Sequence, residues 1–175
     1  MGSACSFDHA STNVTVPVIT VKAMAKANDK DKKSVDVFLG GACGTTTWRQ
    51  NVIPILYAAN KTFYNPQVPA NEWHKGLMAE ELFHKESSEI CLFVIGRETR
   101  AVASMAEAAY YIGKTNNNNK QRVVIVLQPF PETMETLDES ADLNRGRTYL
   151  RQIAEENKVP IYDSPMDAVY AIVQM

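Results

Sequence analysis

Residues 90–95 read Ile-Cys-Leu-Phe-Val-Ile. Six consecutive apolar side chains without polar alternation suit a strand covered on both faces. Such a strand needs neighbours, and the chain supplies them on either side. Before it come 35–39 (Val-Asp-Val-Phe-Leu), stopping at Gly40-Gly41, and 61–65 (Lys-Thr-Phe-Tyr-Asn), closed by Pro66. After it come 122–127 (Arg-Val-Val-Ile-Val-Leu) and the short 159–162. Helix-like stretches separate them: 48–59, 73–88, 104–112 ending at Gly113, 143–157 and 164–173. Pro54 is expected to kink or restart the first of these. Residues 116–119 form a surface loop. Strands alternating with helices predict right-handed crossovers and a five-stranded, doubly wound parallel sheet, an α/β fold. In open α/β sheets ligands bind beyond the carboxyl ends of the strands. The segments to inspect are therefore 40–48, 65–67, 96–107 and 128–131.

The chain has 175 residues, enough for one domain with a sizeable core. Its net charge is −2 and its pI about 5.9, which argues against a partner held by bulk positive charge, such as a nucleic-acid polymer. No apolar run approaches the ~18 residues a membrane-spanning helix needs, and no secretory signal is visible. Cys5, Cys43 and Cys91 are odd in number and lack CxxC spacing, so a disulfide framework is not expected and a reducing, cytoplasmic compartment is. Cys91 sits in an apolar run as a small hydrophobe. His9, His74 and His84 show no metal-ligand spacing, and no metal site is expected.

Residues 1–33 read as an N-terminal extension, with a candidate edge strand at 14–21 and a charged linker at 26–34. The folded domain is expected over 34–175. Met1-Gly2-Ser3-Ala4-Cys5-Ser6 fits the N-myristoylation pattern at Gly2, and Cys5 could take a second acyl chain. Two chains give stable attachment, here to the cytoplasmic face of a membrane. The plain alternative is an ordinary N-terminus.

Several residues invite a chemical reading. The loop Gly40-Gly41-Ala42-Cys43-Gly44-Thr45-Thr46-Thr47-Trp48-Arg49 is neither a Walker loop nor GxGxxG. Its glycines and the helix start after it favour an anion; otherwise it is a tight strand-to-helix turn with a threonine cap. Ser104-Met105-Ala106-Glu107 fits a capping box, in which Glu107 satisfies a backbone N–H. Glu107 could instead point into the crevice as nucleophile or base. Glu81 shares a helical face with Leu77 and Leu82, so it is expected to point inward. Two carboxylates facing one glycosidic bond could divide nucleophile and acid/base work. Arg97, Arg100, Arg145 and Arg147 read as loop arginines, and the first two could hold a phosphate or carboxylate.

Taken together, VFLGGACGTTTWR (37–49), FYNPQV (63–68), ICLFVIGRETRAVASMAEAAYYIG (90–113), RVVIVLQ (122–128) and RGRTYLRQIA (145–154) resemble, in order and spacing, the nucleoside 2-deoxyribosyltransferase-like family. The resemblance implies a flavodoxin-like fold and cleavage of the N-glycosidic bond between a base and a (deoxy)ribose, with no cofactor. It implies that Glu107 attacks the anomeric carbon. It implies that Glu81, eight residues before Glu89, is the site carboxylate of the preceding helix. Substrate-binding positions are expected at Gly40, Gly41, Cys43, Thr45, Thr46, Trp48, Asn65, Gln67, Arg97, Arg100 and Ser104. Family pockets are commonly completed across subunits, so a homo-oligomer is expected. The transferases carry an aspartate just before the nucleophile helix; residues 99–103 (Thr-Arg-Ala-Val-Ala) have none. Arg100 there resembles the branch that hydrolyses nucleotides and suits a phosphorylated substrate. The expected function is therefore hydrolysis of, or 2-deoxyribosyl transfer from, a nucleoside or nucleotide. The alternatives are a non-catalytic module binding a nucleotide or NAD metabolite, and a phosphate-binding signalling domain held at a membrane.

Overall fold

The computed structural model describes residues 34–175 except 70, 73, 116–120 and 134–136. The acylation pattern at Gly2 and Cys5, the 14–21 strand and the 116–119 loop lie outside the described residues. Ten elements alternate: β1 (Val37–Gly41), α1 (Trp48–Ala58), β2 (Phe63–Tyr64), α2 (Gly76–Ser87), β3 (Ile90–Ile95), α3 (Val102–Thr115), β4 (Arg122–Leu127), α4 (Leu137–Glu156), β5 (Ile161–Tyr162) and α5 (Pro165–Val173). The strands form one sheet in the order β2-β1-β3-β4-β5, every pairing parallel. This is the flavodoxin-like doubly wound arrangement, with its topological switch between β1 and β3.

The pleat divides the core in two, because successive strand side chains point to opposite faces. Val37, Leu39, Ile90, Leu92, Val94, Val124 and Val126 face one way, against Trp48, Val52 and Leu56 of α1 and Ala168, Val169 and Ile172 of α5. Phe38, Cys91, Phe93, Ile95, Val123, Ile125 and Leu127 face the other, against α3 and α4. Every residue of β3 is buried, as the unbroken apolar run at 90–95 requires.

Four of the differences from the sequence reading have a plain physical reason. β1 does not stop at its glycines but runs through them, pairing Gly40 with Phe93 and Gly41 with Val94. A Cβ on Gly40 would lie 2.7 Å from Phe93 Cδ1, and one on Gly41 2.5 Å from the Val94 carbonyl oxygen. The glycines are there for close approach to β3, not to end a strand. Gly41 also has φ +128°, which a side chain rarely tolerates. Gly41→Ala should therefore destabilise the fold by about 2–3 kcal/mol, read as a lowered urea midpoint at unchanged slope.

Pro54 neither interrupts nor restarts α1, which is continuous from Trp48 to Ala58. The ring sits on the exposed side, and the carbonyl it leaves unpaired belongs to exposed Gln50, where water can serve it. Gly113 does not end α3, which reaches Thr115; open space surrounds the glycine, and burial of Tyr111 and Ile112 beside it outweighs its propensity cost of about 1 kcal/mol. α4 begins at Leu137, six residues before the expected start at 143. Its first turns are polar, with Asp138 and Glu139 at the dipole's positive end, so apolar periodicity could not reveal them. Arg145 and Arg147, read as loop arginines although they fall inside the expected 143–157 stretch, lie on this helix. Among the described residues no helix is long and apolar enough to cross a membrane.

Candidate active site

The crevice beside the switch point starts with the loop after β1, which two side chains hold. Arg49, in the first turn of α1, is fully buried. Its Nε and Nη2 donate to the Leu39 carbonyl (3.1 and 3.0 Å), Nη2 also to Gly41 (3.0 Å), and Nη1 to Ala42 (2.9 Å). The Thr46 hydroxyl donates to the same Ala42 carbonyl (2.9 Å). From β2's end, Gln67 Nε2 donates to the carbonyls of Cys43 (2.7 Å), Gly44 (3.0 Å) and Thr46 (3.0 Å). Asn65 Oδ1 accepts from the Gln67 backbone N–H at 3.0 Å, so these two residues form one brace. Two carbonyls at the end of β1 and four in the loop are thereby turned to protein donors. Burial pulls the Arg49 pKa below its usual value.

The second part of the crevice joins α2 and α3 over the Phe38 ring. Lys85, in the last turn of α2, is buried, and its Nζ lies 2.6 Å from Glu107 Oε1 and 2.9 Å from Glu81 Oε1. The ammonium also sits 5.5 Å from the Phe38 ring centroid. Burial pulls the Lys85 pKa down, but hydrogen bonds to Glu107 and Glu81 more than offset it, and the net shift is upward. Glu81 and Lys85 are one helical turn apart, while Glu107 comes from the second turn of α3. The carboxylates named from sequence thus meet on one cation. Cys43 lies within electrostatic reach of both. Burial pushes its thiol pKa up, so it is a neutral wall of the crevice and not a thiolate. Tyr64 stacks on buried His84 with centroids 4.1 Å apart, closing the β2 side.

The remaining candidates separate. Gly40 and Gly41 shape the strand end, and Thr45 is exposed on the loop. Trp48 packs in the α1/α5 core and borders a distinct cavity of about 160 Å3, lined also by Thr47, Asn51, Glu98, Gln128 and Met166. Arg97 is exposed, and its backbone N–H donates to Gln128 Oε1 at 3.3 Å. Arg100 is exposed and pairs with Glu139 of α4 at 2.5 Å. Ser104 is buried within the first turn of α3, two residues past its start. The capping-box geometry is therefore absent: Glu107 lies beyond the first turn and its Oε1 accepts from Lys85, not from a helix-end amide. The inward face of α2 also differs from expectation. Leu82 is exposed, and the buried positions are His84 and Lys85. Leu77, Glu81 and Lys85, each one turn from the next, form the inward face, the first two half-buried and Lys85 buried.

Sequence reasoning misses three residues that matter here. Lys85 carries one legible signal, its i,i+4 spacing from Glu81. Arg49 is visible only as the end of a motif. Arg147 is buried on α4, donating to the carbonyls of Gln128 (2.9 Å), Thr99 (3.0 Å), Gly96 (3.2 Å) and Leu143 (3.3 Å), which fastens the loops after β3 and β4. Nothing in its spacing announces that. Among the described residues, no three His, Cys, Asp or Glu side chains converge as metal ligands.

Fold and crevice together define a flavodoxin-like α/β protein with two carboxylates on one lysine beside its switch point. The model of the family described as nucleoside 2-deoxyribosyltransferase like matches residues 34–130, more than half of the chain, and the chain belongs to that family. No curated protein matches it. Among solved structures, it is similar to the TIR domains of the activated Roq1 resistosome directly recognizing the pathogen effector XopQ. That similarity has 13% identity and a TM-score of 0.46 over 81% of this chain and 98% of the other.

Proposed function

We propose that this protein cleaves the N-glycosidic bond of a nucleoside or nucleotide, with Glu107 as nucleophile and Glu81 as its acid/base partner. The observation carrying this reading is the convergence of Glu107 and Glu81, from separate helices, on Lys85 beside the crevice loop. Membership of the family supports the bond type. A Glu107 oxygen attacks the anomeric carbon as the carbon–nitrogen bond breaks through an oxocarbenium-like transition state. The bonding pair leaves on the base nitrogen, which takes up a proton from Glu81. Water or a second base then attacks the same carbon, releasing the Glu107 carboxylate. Because the loop's carbonyls are engaged by Arg49 and Gln67, they do not oppose a negatively charged substrate at the crevice mouth.

A panel of deoxynucleosides, their monophosphates and NAD, assayed by chromatography for released base, tests the proposal. Release from at least one member is expected, and its dependence on an added acceptor base separates transfer from hydrolysis. No release from any member, with or without acceptor, overturns it in favour of a non-catalytic binding module. Ligand-induced thermal stabilisation without turnover would identify that module.

A further inference from the structure

Lys85 is an unusual residue to find inside a fold. Its side chain is 8% exposed, and a buried ammonium is costly unless paired. An apolar residue of similar length would pack against Phe38 at no such cost, so the charge calls for an explanation in what it touches. Both contacts are monodentate: Nζ meets Oε1 of Glu107 and Oε1 of Glu81. Among the described residues Glu107 Oε2 takes no hydrogen bond, and the Glu107 side chain is 42% exposed. One oxygen of this carboxylate is therefore fixed and the other open.

We propose that Lys85 is a positioning residue which clamps Glu107 Oε1, makes Oε2 the attacking oxygen, and lowers the barrier to breaking the glycosyl–enzyme ester. This rests on the glycosidase reading above. In the first step Oε2 bonds to the anomeric carbon and the carbon–nitrogen pair departs with the base. Oε1 becomes the ester carbonyl oxygen, still facing the ammonium. In the second step water oxygen bonds to the anomeric carbon, the carbon–Oε2 bond breaks, and its electron pair returns to the carboxylate. The water proton passes to Glu81, whose second oxygen is not used by Lys85.

The direction of the effect follows from differential binding. An ammonium holds a full carboxylate more strongly than an ester carbonyl. Lys85 therefore stabilises Glu107 most when negative charge is returning to it, as the ester breaks. It gives no such help to the attack that removes that charge. Glu81 keeps the ammonium paired while Glu107 is esterified, which accounts for two acids on one base. The raised Lys85 pKa agrees with a group that stays cationic throughout.

The test is rapid-quench base release and intact-protein mass spectrometry on full-length wild type, Lys85→Met and Lys85→Gln. Both variants are checked for cooperative unfolding. The glutamine keeps a donor but removes the charge, which covers the case where the methionine variant fails to fold. The expected result is slowing of the second step by roughly tenfold to a hundredfold. It would appear as a stoichiometric burst of base, with a glycosyl adduct on the folded variant that wild type does not accumulate. A merely structural lysine would lower active fraction or turnover without trapping an adduct, and that outcome overturns the proposal. So does unchanged steady-state turnover. Absence of release by wild type would overturn the glycosidase reading and this inference together, whereas release by wild type with no adduct in either folded variant removes the inference alone.

Discussion

Glu107→Gln should reduce base release by roughly 10^3-fold or more while leaving the protein folded and substrate affinity within a few-fold of wild type. Glutamine has the shape of glutamate but is not an anion. Its amide oxygen can still accept from Lys85 at the Oε1 position, and Glu81 keeps the ammonium paired. The stability cost is therefore under about 1 kcal/mol, since the Glu107 side chain is partly exposed and the pair is screened. Activity is affected quite differently, because an amide cannot form the covalent ester on which the two-step route depends. The split between kcat and KM is the informative quantity. Loss confined to kcat marks a group acting at the reacting carbon, whereas a raised KM with intact kcat would make Glu107 a binding residue only. Wild-type turnover in this variant would return Glu107 to the part of a structural ion pair between α2 and α3.

What is legible in the sequence follows from where its signals are periodic. The uninterrupted run at 90–95 demands a strand covered twice, and the sheet around β3 satisfies that demand face by face. Glu107 and Glu81 are reachable by spacing within a recognised pattern, and they do meet. The apolar-face argument for Glu81 holds at Leu77, half-buried one turn before it, and fails at Leu82, which is exposed. Buried cations escape hydropathy altogether. Arg49, Lys85 and Arg147 are charged in sequence, so they read as surface, and only carbonyls and carboxylates brought from other elements make their burial possible. The capping-box reading fails for a related reason: local spacing fixes which residues are near in sequence, while a partner 22 residues away claims the side chain.

Arg49→Met should destabilise the protein by about 3–5 kcal/mol. The methionine would fill much of the stem's volume, so the loss isolates the guanidinium. That group supplies donors to Leu39, Gly41 and Ala42, whose carbonyls end β1 and begin the crevice loop. Removing it strands these acceptors where side-chain exposure is nil, and each unsatisfied buried group costs about 1–3 kcal/mol. Part of that is recovered where the loop opens to water, which sets the upper end of the range. Arg49→Lys should recover little, because three donors on one nitrogen cannot span carbonyls that the guanidinium reaches from Nε, Nη1 and Nη2. Urea unfolding gives the magnitude, and amide exchange over 42–47 gives the location: protection should fall there before it falls in β3. A loss below about 1 kcal/mol would mean that water already shares these carbonyls. The functional consequence is indirect and checkable in the same variant. Gln67 would then hold the loop alone, through carbonyls further along it, and Cys43 would no longer be fixed against the Glu81–Lys85–Glu107 cluster. Base release should drop in step with the fraction of molecules whose loop is closed, and a ligand that binds the closed loop should restore stability and activity together.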